Sequence, residues 1–255
     1  MYRSAVFLLL ACISTASLSA GDDGTAEHKE PGMKRYSSPN AVFDAYRQAY
    51  RSGDWRTFYF LFTTKAQRDL VFEANFACED AGGAKFESLK KIRQELGARE
   101  AALGKRYLEE YKRKHGHAEA IDKYLAKAVP YWESKNKGTG ASKTGESDAI
   151  PAADKAAVDD LPVDEELARA ALYDATKDKV GFFTAVQKVL GEDRKANIIG
   201  DLEQVAVKGD KATGRAKITI LPTRGESRPA AETIDKTFEF QRVNGGWLLD
   251  GVRVP

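Results

Sequence analysis

The sequence contains few residues that form disulfides or bind metal ions, since its 255 residues include two cysteines and three histidines. Cys12 lies in the apolar N-terminal segment, so Cys78 is the one cysteine expected to remain unmodified in a folded domain. A single thiol cannot form an internal disulfide, and the fold must therefore depend on the packing of its core. Because Cys78 lies in an apolar run, we predict a buried and unreactive thiol.

The histidines give little support for a metal site. His115 and His117 are two residues apart, but no third ligand is close in sequence and the cations at 112–114 disfavour a bound dication. We interpret the pair as the end of a helix, where the helix dipole favours positive charge.

Recognisable catalytic motifs are also missing. The sequence has no Ser-His-Asp or Cys-His set, no phosphate-binding loop and no dinucleotide-binding fingerprint. The carboxylates of Asp235, Glu239 and Asp250 alternate with apolar residues in predicted strands, so we expect them to face solvent, where nothing tunes their pKa for proton transfer. The sequence therefore favours a non-enzymatic protein and predicts no cofactor.

The numbers of basic and acidic residues, 40 and 38, give no reason to expect a polyanion such as nucleic acid as a partner. Charge is nevertheless segregated along the chain. Residues 85–127 carry twelve Lys or Arg and seven Asp or Glu, whereas residues 143–178 carry four and ten. The basic block either contacts anionic lipid headgroups or nucleic acid, or it packs near the acidic block, or both blocks are solvated. Interleaved acids favour the two intramolecular alternatives.

Long apolar runs are confined to the N-terminus. Residues 1–20 are predicted to be a signal peptide, because an apolar core follows Arg3, small residues lead to Ala20 and charged residues begin beyond it. Residues 21–35 are predicted to be a flexible leader. No other segment approaches the about 20 apolar residues that a membrane helix needs. We expect an exported protein, periplasmic or secreted.

Cys12 leaves a second mode of processing open. Residues 9–12 look like a bacterial lipobox, whose cysteine would be diacylated and become the mature N-terminus. Only eleven residues precede Cys12, and Ile13 continues the apolar run, which favours ordinary cleavage. The protein is expected to contact a membrane only if it is a lipoprotein anchored at Cys12.

Helical periodicity predicts three aromatic-rich helices after the leader. Ser38 caps the first helix, which has Pro39 in its first turn and ends at Gly53. Asp54 caps a short second helix. The third begins at Thr64 and is apolar on most of its surface, which predicts a central position.

The middle of the chain is predicted to be largely helical. The third helix is expected to stop at Gly82-Gly83, and three further glycines suggest breaks in the helical block that follows: Gly97, Gly104 and Gly116. The predicted segments are a helical insertion at 85–133, a disordered linker at 134–161 and helices at 163–191 that lead into the sheet.

The last sixty residues alternate between apolar and polar positions, as strands with one buried face do. The alternation covers residues 211–221 and 233–243, and the pairs Gly209-Asp210 and Asn244-Gly245 are typical of two-residue hairpin turns. The first strand, at 198–207, alternates poorly, which predicts a β-bulge near Glu203 and Gln204.

These patterns predict an α+β fold, in which N-terminal helices pack on a curved four-stranded antiparallel meander. The predicted domain combines residues 36–82 with residues 195–255. Two stretches carry a resemblance: SPNAVFDAYRQAYRSGDW at 38–55, and GDKAT at 209–213 with FEFQRVNGGW at 238–247. In both the chain resembles the nuclear transport factor 2-like superfamily, a cone of helices packed on a bent sheet.

The resemblance implies shape more than chemistry. That superfamily contains isomerases and dehydratases that use Asp, His or Tyr inside the cone, and it also contains non-enzymatic binding modules. None of its active residues matches a position of this sequence, so no catalytic residue is carried over.

An apolar pocket inside the cone is the candidate site. Its candidate lining residues are Tyr46, Tyr50, Trp55, Phe58, Phe62, Phe72, Phe76, Phe238, Phe240 and Trp247. The alternative is that these aromatics interdigitate into a solid core, which is the commoner fate of aromatics at such spacing and the one we favour.

The sequence therefore predicts an exported, non-enzymatic binding or interaction module of the bacterial cell envelope. Its partner would be an envelope protein or a small apolar ligand. The alternatives are a small isomerase- or dehydratase-type enzyme with a carboxylate inside the cone, and a lipid-anchored envelope scaffold.

Overall fold

The computed structural model describes residues 35–80, 84–136, 150–190, 197–221 and 231–253. The predicted signal peptide, the leader before residue 35, Cys12 and the Gly82-Gly83 stop lie outside these residues.

The fold is α+β, with helices first and a curled antiparallel half-barrel sheet at the C-terminus. The helices of the described residues are α1 (Pro39–Ser52), α2 (Trp55–Phe60), α3 (Thr64–Asp80), α4 (Ala84–Leu96), α5 (Glu100–His115), α6 (Ala118–Asn136), α7 (Ala152–Asp159), α8 (Glu165–Ala175) and α9 (Lys179–Leu190). The strands are β1 (Ile198–Ile199), β2 (Glu203–Lys208), β3 (Lys211–Ile220), β4 (Glu232–Val243) and β5 (Gly246–Arg253).

Two compact units divide the described chain. The helix–sheet unit comprises residues 35–97 and 178–253, and the helical unit comprises Ala98–Lys177. Each unit has its own buried core.

The N-terminal caps form as predicted. Ser38 Oγ accepts a hydrogen bond from the backbone N–H of Ala41 at 3.2 Å, and Gly53 ends α1 with φ +70°. Asp54 Oδ1 accepts from the N–H of Thr57 at 3.0 Å and so caps α2. These side chains satisfy helix-end groups that would otherwise lack partners.

The third helix has the predicted start but not the predicted surface. Val71, Ala74 and Cys78 are buried on one side of α3, whereas Phe76 is 44% exposed on another. The helix is therefore amphipathic rather than apolar on most of its surface. The prediction of a buried Cys78 is confirmed.

The sheet is a meander of four rows. β1 and β2 pair with the same side of β3, β3 pairs with β4, and β4 pairs with β5, all antiparallel. The first row is interrupted between β1 and β2, and its register shifts between Glu203 and Ala206, where Gln204 has φ +52°. The predicted bulge is confirmed.

The buried face of the sheet carries the α1 helix. Phe238 and Phe240 of β4 are buried, and the Phe43 ring of α1 meets the Phe238 ring edge-on at 4.8 Å between centroids. Tyr46, one turn further along α1, lies 5.5 Å from the same Phe238 ring. The predicted packing of N-terminal helices on the sheet is thus present in the structure.

The helical unit differs from its prediction in two places. The predicted linker at 134–161 contains the end of α6 and the whole of α7, and both Ile150 and Val158 are buried in the core of the unit; residues 137–149 lie outside the described residues. The helix also continues through Gly104, where a Cβ would lie 3.0 Å from the ring of Trp132. Glycine is used there for close packing and not to break the helix.

The packing of α1 on β4 is testable by truncation. Phe238→Ala is expected to destabilise the helix–sheet unit by about 3–5 kcal/mol, the usual cost of truncating a buried Phe. Val243→Ala, at the partly exposed end of the same strand, is the control and should change the free energy by less than about 0.5 kcal/mol. Urea denaturation followed by fluorescence, in a Trp132→Phe background, reports on this unit through Trp55 and Trp247. Equal losses from both variants would contradict the packing.

Candidate functional site

The structure buries seven of the ten predicted pocket residues: Tyr46, Trp55, Phe58, Phe62, Phe238, Phe240 and Trp247. Five of them form a cluster of rings in contact: Tyr46, Trp55, Phe58, Phe62 and Phe238. Tyr50 and Phe72 are half-buried. The exposed Phe76 lies outside this cluster, because it is on the solvent side of α3.

The rings of this cluster contact one another. The Tyr46 ring centroid lies 5.1 Å from that of Phe58, 5.5 Å from that of Phe238 and 6.3 Å from that of Phe62. The Phe58 ring also stacks on Phe183 of α9 at 6.0 Å. These separations are those of packed aromatic pairs. The centre of the unit is therefore occupied by side chains at this point, which favours the solid-core alternative.

Tyr46 is the polar group at the centre of the cluster. Burial, with a smaller contribution from the nearby Tyr50, raises the pKa of Tyr46 well above its ordinary value. The phenol therefore stays protonated at neutral pH, so it is able to donate a hydrogen bond but is a poor general base.

The carboxylates of the sheet are exposed or paired. Asp235 faces solvent as predicted, and Glu239 is half-buried and forms an ion pair with Arg253. Neither carboxylate is buried against apolar walls.

Asp250 differs from its prediction, because it is half-buried. The β4–β5 register shifts between Glu239 and Phe240, and the extra residue in the resulting bulge is Asp250. Bulges redirect side chains, and Asp250 Oδ1 accepts a 2.7 Å hydrogen bond from Thr63 Oγ1. This contact joins the strand to the start of α3.

A second cluster of ionisable groups surrounds Asp164 in the helical unit. Asp164 Oδ2 accepts hydrogen bonds from Lys114 Nζ and from His115 Nε2, both at 2.8 Å. Asp164 Oδ1 accepts from the N–H of Leu167 at 3.0 Å and so caps α8, while the N–H of Asp164 donates to the Tyr107 hydroxyl at 3.2 Å. The hydrogen bond from Lys114 is the main cause that lowers the pKa of Asp164 far below its ordinary value.

Helix ends explain why these charges meet. Lys114 and His115 lie in the last turn of α5, where the partial negative charge of the helix end favours cations, and Asp164 lies at the positive N-terminus of α8. The predicted helix-end position of His115 is confirmed.

The His115–Asp164 pair resembles the carboxylate–imidazole pair of a catalytic triad. A carboxylate that orients an imidazole occurs in hydrolase triads, where the second ring nitrogen contacts a nucleophile. Among the described residues, no Ser, Thr or Cys hydroxyl or thiol is placed against His115, and no group of three His, Cys, Asp or Glu is arranged to hold a metal ion. The contacts of the pair link α5 to α8.

Oppositely charged segments of the helical unit pair with each other. Lys114 and Asp164 form one such contact, and Arg106 Nε lies 3.5 Å from Asp174 Oδ2 in another. The prediction that the basic and acidic segments pack near each other is confirmed. Exposed pairs of this kind contribute little stability individually.

A surface depression of about 450 Å³ lies at the first turn of α6, beside α7. Its lining residues are His117, Ala118, Glu119, Ala120, Lys123, Asp154 and Ala157. Glu119 and Lys123 pair across it at 2.8 Å. Alanines and internally paired charges give it neither the apolar walls nor the convergent polar groups of a ligand site.

Comparison with known proteins does not assign this chain to a family. No family model matches the chain, no curated protein is significantly similar in sequence, and no solved structure matches its fold significantly. Within the described residues, no helix is both long and apolar enough to cross a membrane.

Asp164 was not predicted as a site residue from the sequence. Its local signal is that of a helix N-cap, an Asp followed by two glutamates in the first turn, and this signal says nothing about its partners. Its partners Lys114 and His115 are about fifty residues away in sequence, so only the folded helical unit brings them together.

The Asp164 cluster predicts an acid-sensitive helical unit. The folded-state pKa of Asp164 lies below its unfolded value of about 3.9, so the ionised side chain stabilises the unit above that pH and the stabilisation is lost as the pH falls. Asp164→Asn keeps a capping oxygen but loses the charge. We expect a loss of about 1 kcal/mol at pH 7 that shrinks below about pH 4.

Urea denaturation followed by far-ultraviolet circular dichroism between pH 2.5 and 7 measures this difference. Glu165→Gln removes the next carboxylate, which is exposed and lies 3.9 Å from Arg169, and it serves as the control. A loss for Asp164→Asn that is the same at pH 3 and pH 7 would contradict the role given to the charge.

Proposed function

We propose that this chain is an exported, non-enzymatic interaction module of the bacterial cell envelope, and that it contacts its partner through its surface. The observation that carries the proposal is the direct ring packing of Tyr46, Phe58 and Phe238 at the centre of the helix–sheet unit. Rings in contact leave no room between them for a small ligand. Of the two partner classes that the sequence allows, an envelope protein is therefore favoured over a small apolar ligand.

The paired and exposed carboxylates support the non-enzymatic part of the proposal. An isomerase or dehydratase needs a carboxylate or histidine held against apolar walls. In the described part of the helix–sheet unit, the half-buried Asp250 and Glu239 each have a hydrogen-bonding or ionic partner. Tyr46 is buried among aromatic rings but stays neutral. An enzyme of that type, using a carboxylate inside the cone, is the alternative.

Export rests on the sequence of the first twenty residues. The short cationic start, the apolar core and the small residues before Ala20 support a signal peptide, with a lipid-anchored scaffold as the alternative through Cys12. We further propose that the fold is a nuclear transport factor 2-like cone and that the helical unit is an insertion in it. The division of the chain at Gly97–Ala98 and Lys177–Asp178 supports the insertion.

A small apolar probe tests the filled interior. Benzene at a high, fixed concentration is expected to leave the unfolding temperature of the wild type unchanged, because a ligand raises that temperature only if it binds the folded state. Phe238→Ala, which creates an apolar cavity beside Phe43 and Tyr46, is the positive control and should be stabilised by benzene. Stabilisation of the wild type to the same degree would contradict the proposal and restore an interior ligand site.

Mass spectrometry of the N-terminus tests export and distinguishes its two forms. After expression of the full chain in a Gram-negative host, we expect a mature protein that starts at Gly21 and fractionates with the periplasm. A diacylated N-terminal Cys12 in the membrane fraction would identify the lipid-anchored scaffold instead. An unprocessed chain in the cytoplasm would overturn both forms of the export proposal.

A further inference from the structure

The two edges of the sheet are covered unequally. On the outer side of β5, the N–H of Trp247 donates to the carbonyl of Tyr36 at 2.9 Å, and the N–H of Leu249 donates to the carbonyl of Leu61 at 2.8 Å. The N–H of Thr63 donates to the carbonyl of Leu249 at 2.7 Å. Segments from the N-terminal half therefore close this edge.

Among the described residues, the contacts that close the opposite edge lie at its β1 end. Arg51 Nη2 donates to the carbonyl of Ile199 at 3.3 Å, and Asn197 Nδ2 donates to the Tyr50 hydroxyl at 3.2 Å, which ties α1 to the start of this edge. All six residues of β2 are exposed. Within the described ranges, β3 is the only strand that pairs with β2.

Hydrogen bonding fixes which backbone groups of β2 face outward. The N–H of Arg242 donates to the carbonyl of Asp210, so Asp210 and the even-numbered residues of β3 direct their backbone groups towards β4. Val207 lies opposite Ala212, and its N–H and C=O therefore face away from β3. Ala206 pairs with Thr213 and directs its N–H towards β3, so the carbonyl of Val205, on the other side of the same peptide bond, faces outward.

The side chains at this edge are apolar on one face. Val207 is 58% exposed and Val205 is 37% exposed. Val207 shares the inner face of the sheet with Ala212 and, beyond it, the buried Phe240. An apolar row that starts in the core thus ends in solvent at β2.

Natural proteins protect such edges with charges and bulges, because an open edge pairs with other chains. In β2 the charges flank the valines, because Glu203 and Lys208 lie at the two ends of the strand. The bulge falls between Glu203 and Ala206 and therefore includes Val205. The open ladder is therefore short, which favours one defined pairing over unlimited stacking.

We propose that β2 pairs in antiparallel register with β2 of a second copy of this chain, around a two-fold axis at Ala206. This register sets Val205 opposite Val207 of the second copy, so that backbone groups facing outward from both strands meet. In this register Lys208 lies opposite Gln204 of the second copy, one residue from Glu203. Lys208 and Glu203 share the outer face with Lys211 and Arg215, so their side chains are close enough to pair. A parallel arrangement would place like charges together.

Charge complementarity favours a second copy of this chain as the partner of β2. The strand EQVAVK is acidic at its start and basic at its end, so two antiparallel copies match at both ends. The same contact buries Val207 and Val205 of both chains. Isologous pairing of this kind closes after two copies, which agrees with a strand that the bulge limits to a few residues.

Sedimentation of the full chain, as processed by its host, measures the association. We expect a reversible monomer–dimer equilibrium. Val207→Pro removes the outward N–H while leaving the β2–β3 ladder intact, and it should weaken dimerisation about 10-fold or more. Val207→Thr keeps the N–H and the branched shape and should dimerise as the wild type does. A chain that is monomeric at all concentrations would overturn the proposal.

A disulfide tests the register even if Val207→Pro disturbs the hairpin. In a Cys12→Ser, Cys78→Ala background, Ala206→Cys places two thiols at the two-fold axis, in a non-hydrogen-bonded pair with Cα atoms about 4.5 Å apart. After mild oxidation, the Ala206→Cys variant should run as a covalent dimer on a non-reducing denaturing gel. The cysteine-free background should run as a monomer under the same conditions. Thr213→Cys, exposed on the next strand, is the control and should not crosslink. Equal crosslinking of both variants would overturn the register.

Exchange of the terminal charges provides a matched rescue. Glu203→Lys and Lys208→Glu should each weaken dimerisation about 10-fold, since each dimer contains two such pairs. The double exchange should restore it. Failure of the double variant to recover, with its circular dichroism unchanged, would show that another surface holds the dimer. These results do not depend on export or on the filled interior, so the dimer and the proposed envelope function fail separately.

Discussion

The packing of aromatic rings between α1 and β4 is the interaction on which the rest of the helix–sheet unit depends. Phe43 and Tyr46 meet Phe238 within 4.8–5.5 Å, and they fix how the first helix lies on the sheet. With no internal disulfide available to the described chain, burial of this apolar area is the main source of stability. The same packing fills the centre of the unit with side chains.

The proposed function therefore relies on surfaces and not on an interior pocket. The interior aromatics serve stability, the sheet carboxylates are solvated or paired, and the charges of the helical unit neutralise one another. What the described structure leaves open is one strand edge, β2, with apolar side chains and outward backbone groups. A protein that interacts through an exposed edge needs no preorganised pocket, only an unpaired ladder and complementary side chains.

Local features were predictable because they depend on neighbouring residues. Ser38 and Asp54 cap their helices, Gly53 ends α1, and the strand alternation and the bulge near Gln204 all follow from nearby sequence. Errors arose where tertiary packing overrides local preference. Gly104 stays helical because the Trp132 ring needs the space, and residues 152–159 form a helix although their composition is that of a linker.

The sequence by itself determined the α+β order of elements, the buried status of Phe238, Phe240 and Cys78, and the absence of any recognisable catalytic motif, because each depends on periodicity or on residue type. Only the tertiary structure decided that Asp250 turns to Thr63, that Asp164 contacts Lys114 and His115, and that β2 is exposed while β5 is covered within the described residues. These are contacts between residues far apart in the chain, and no local pattern specifies which distant partner a side chain or a backbone group will meet.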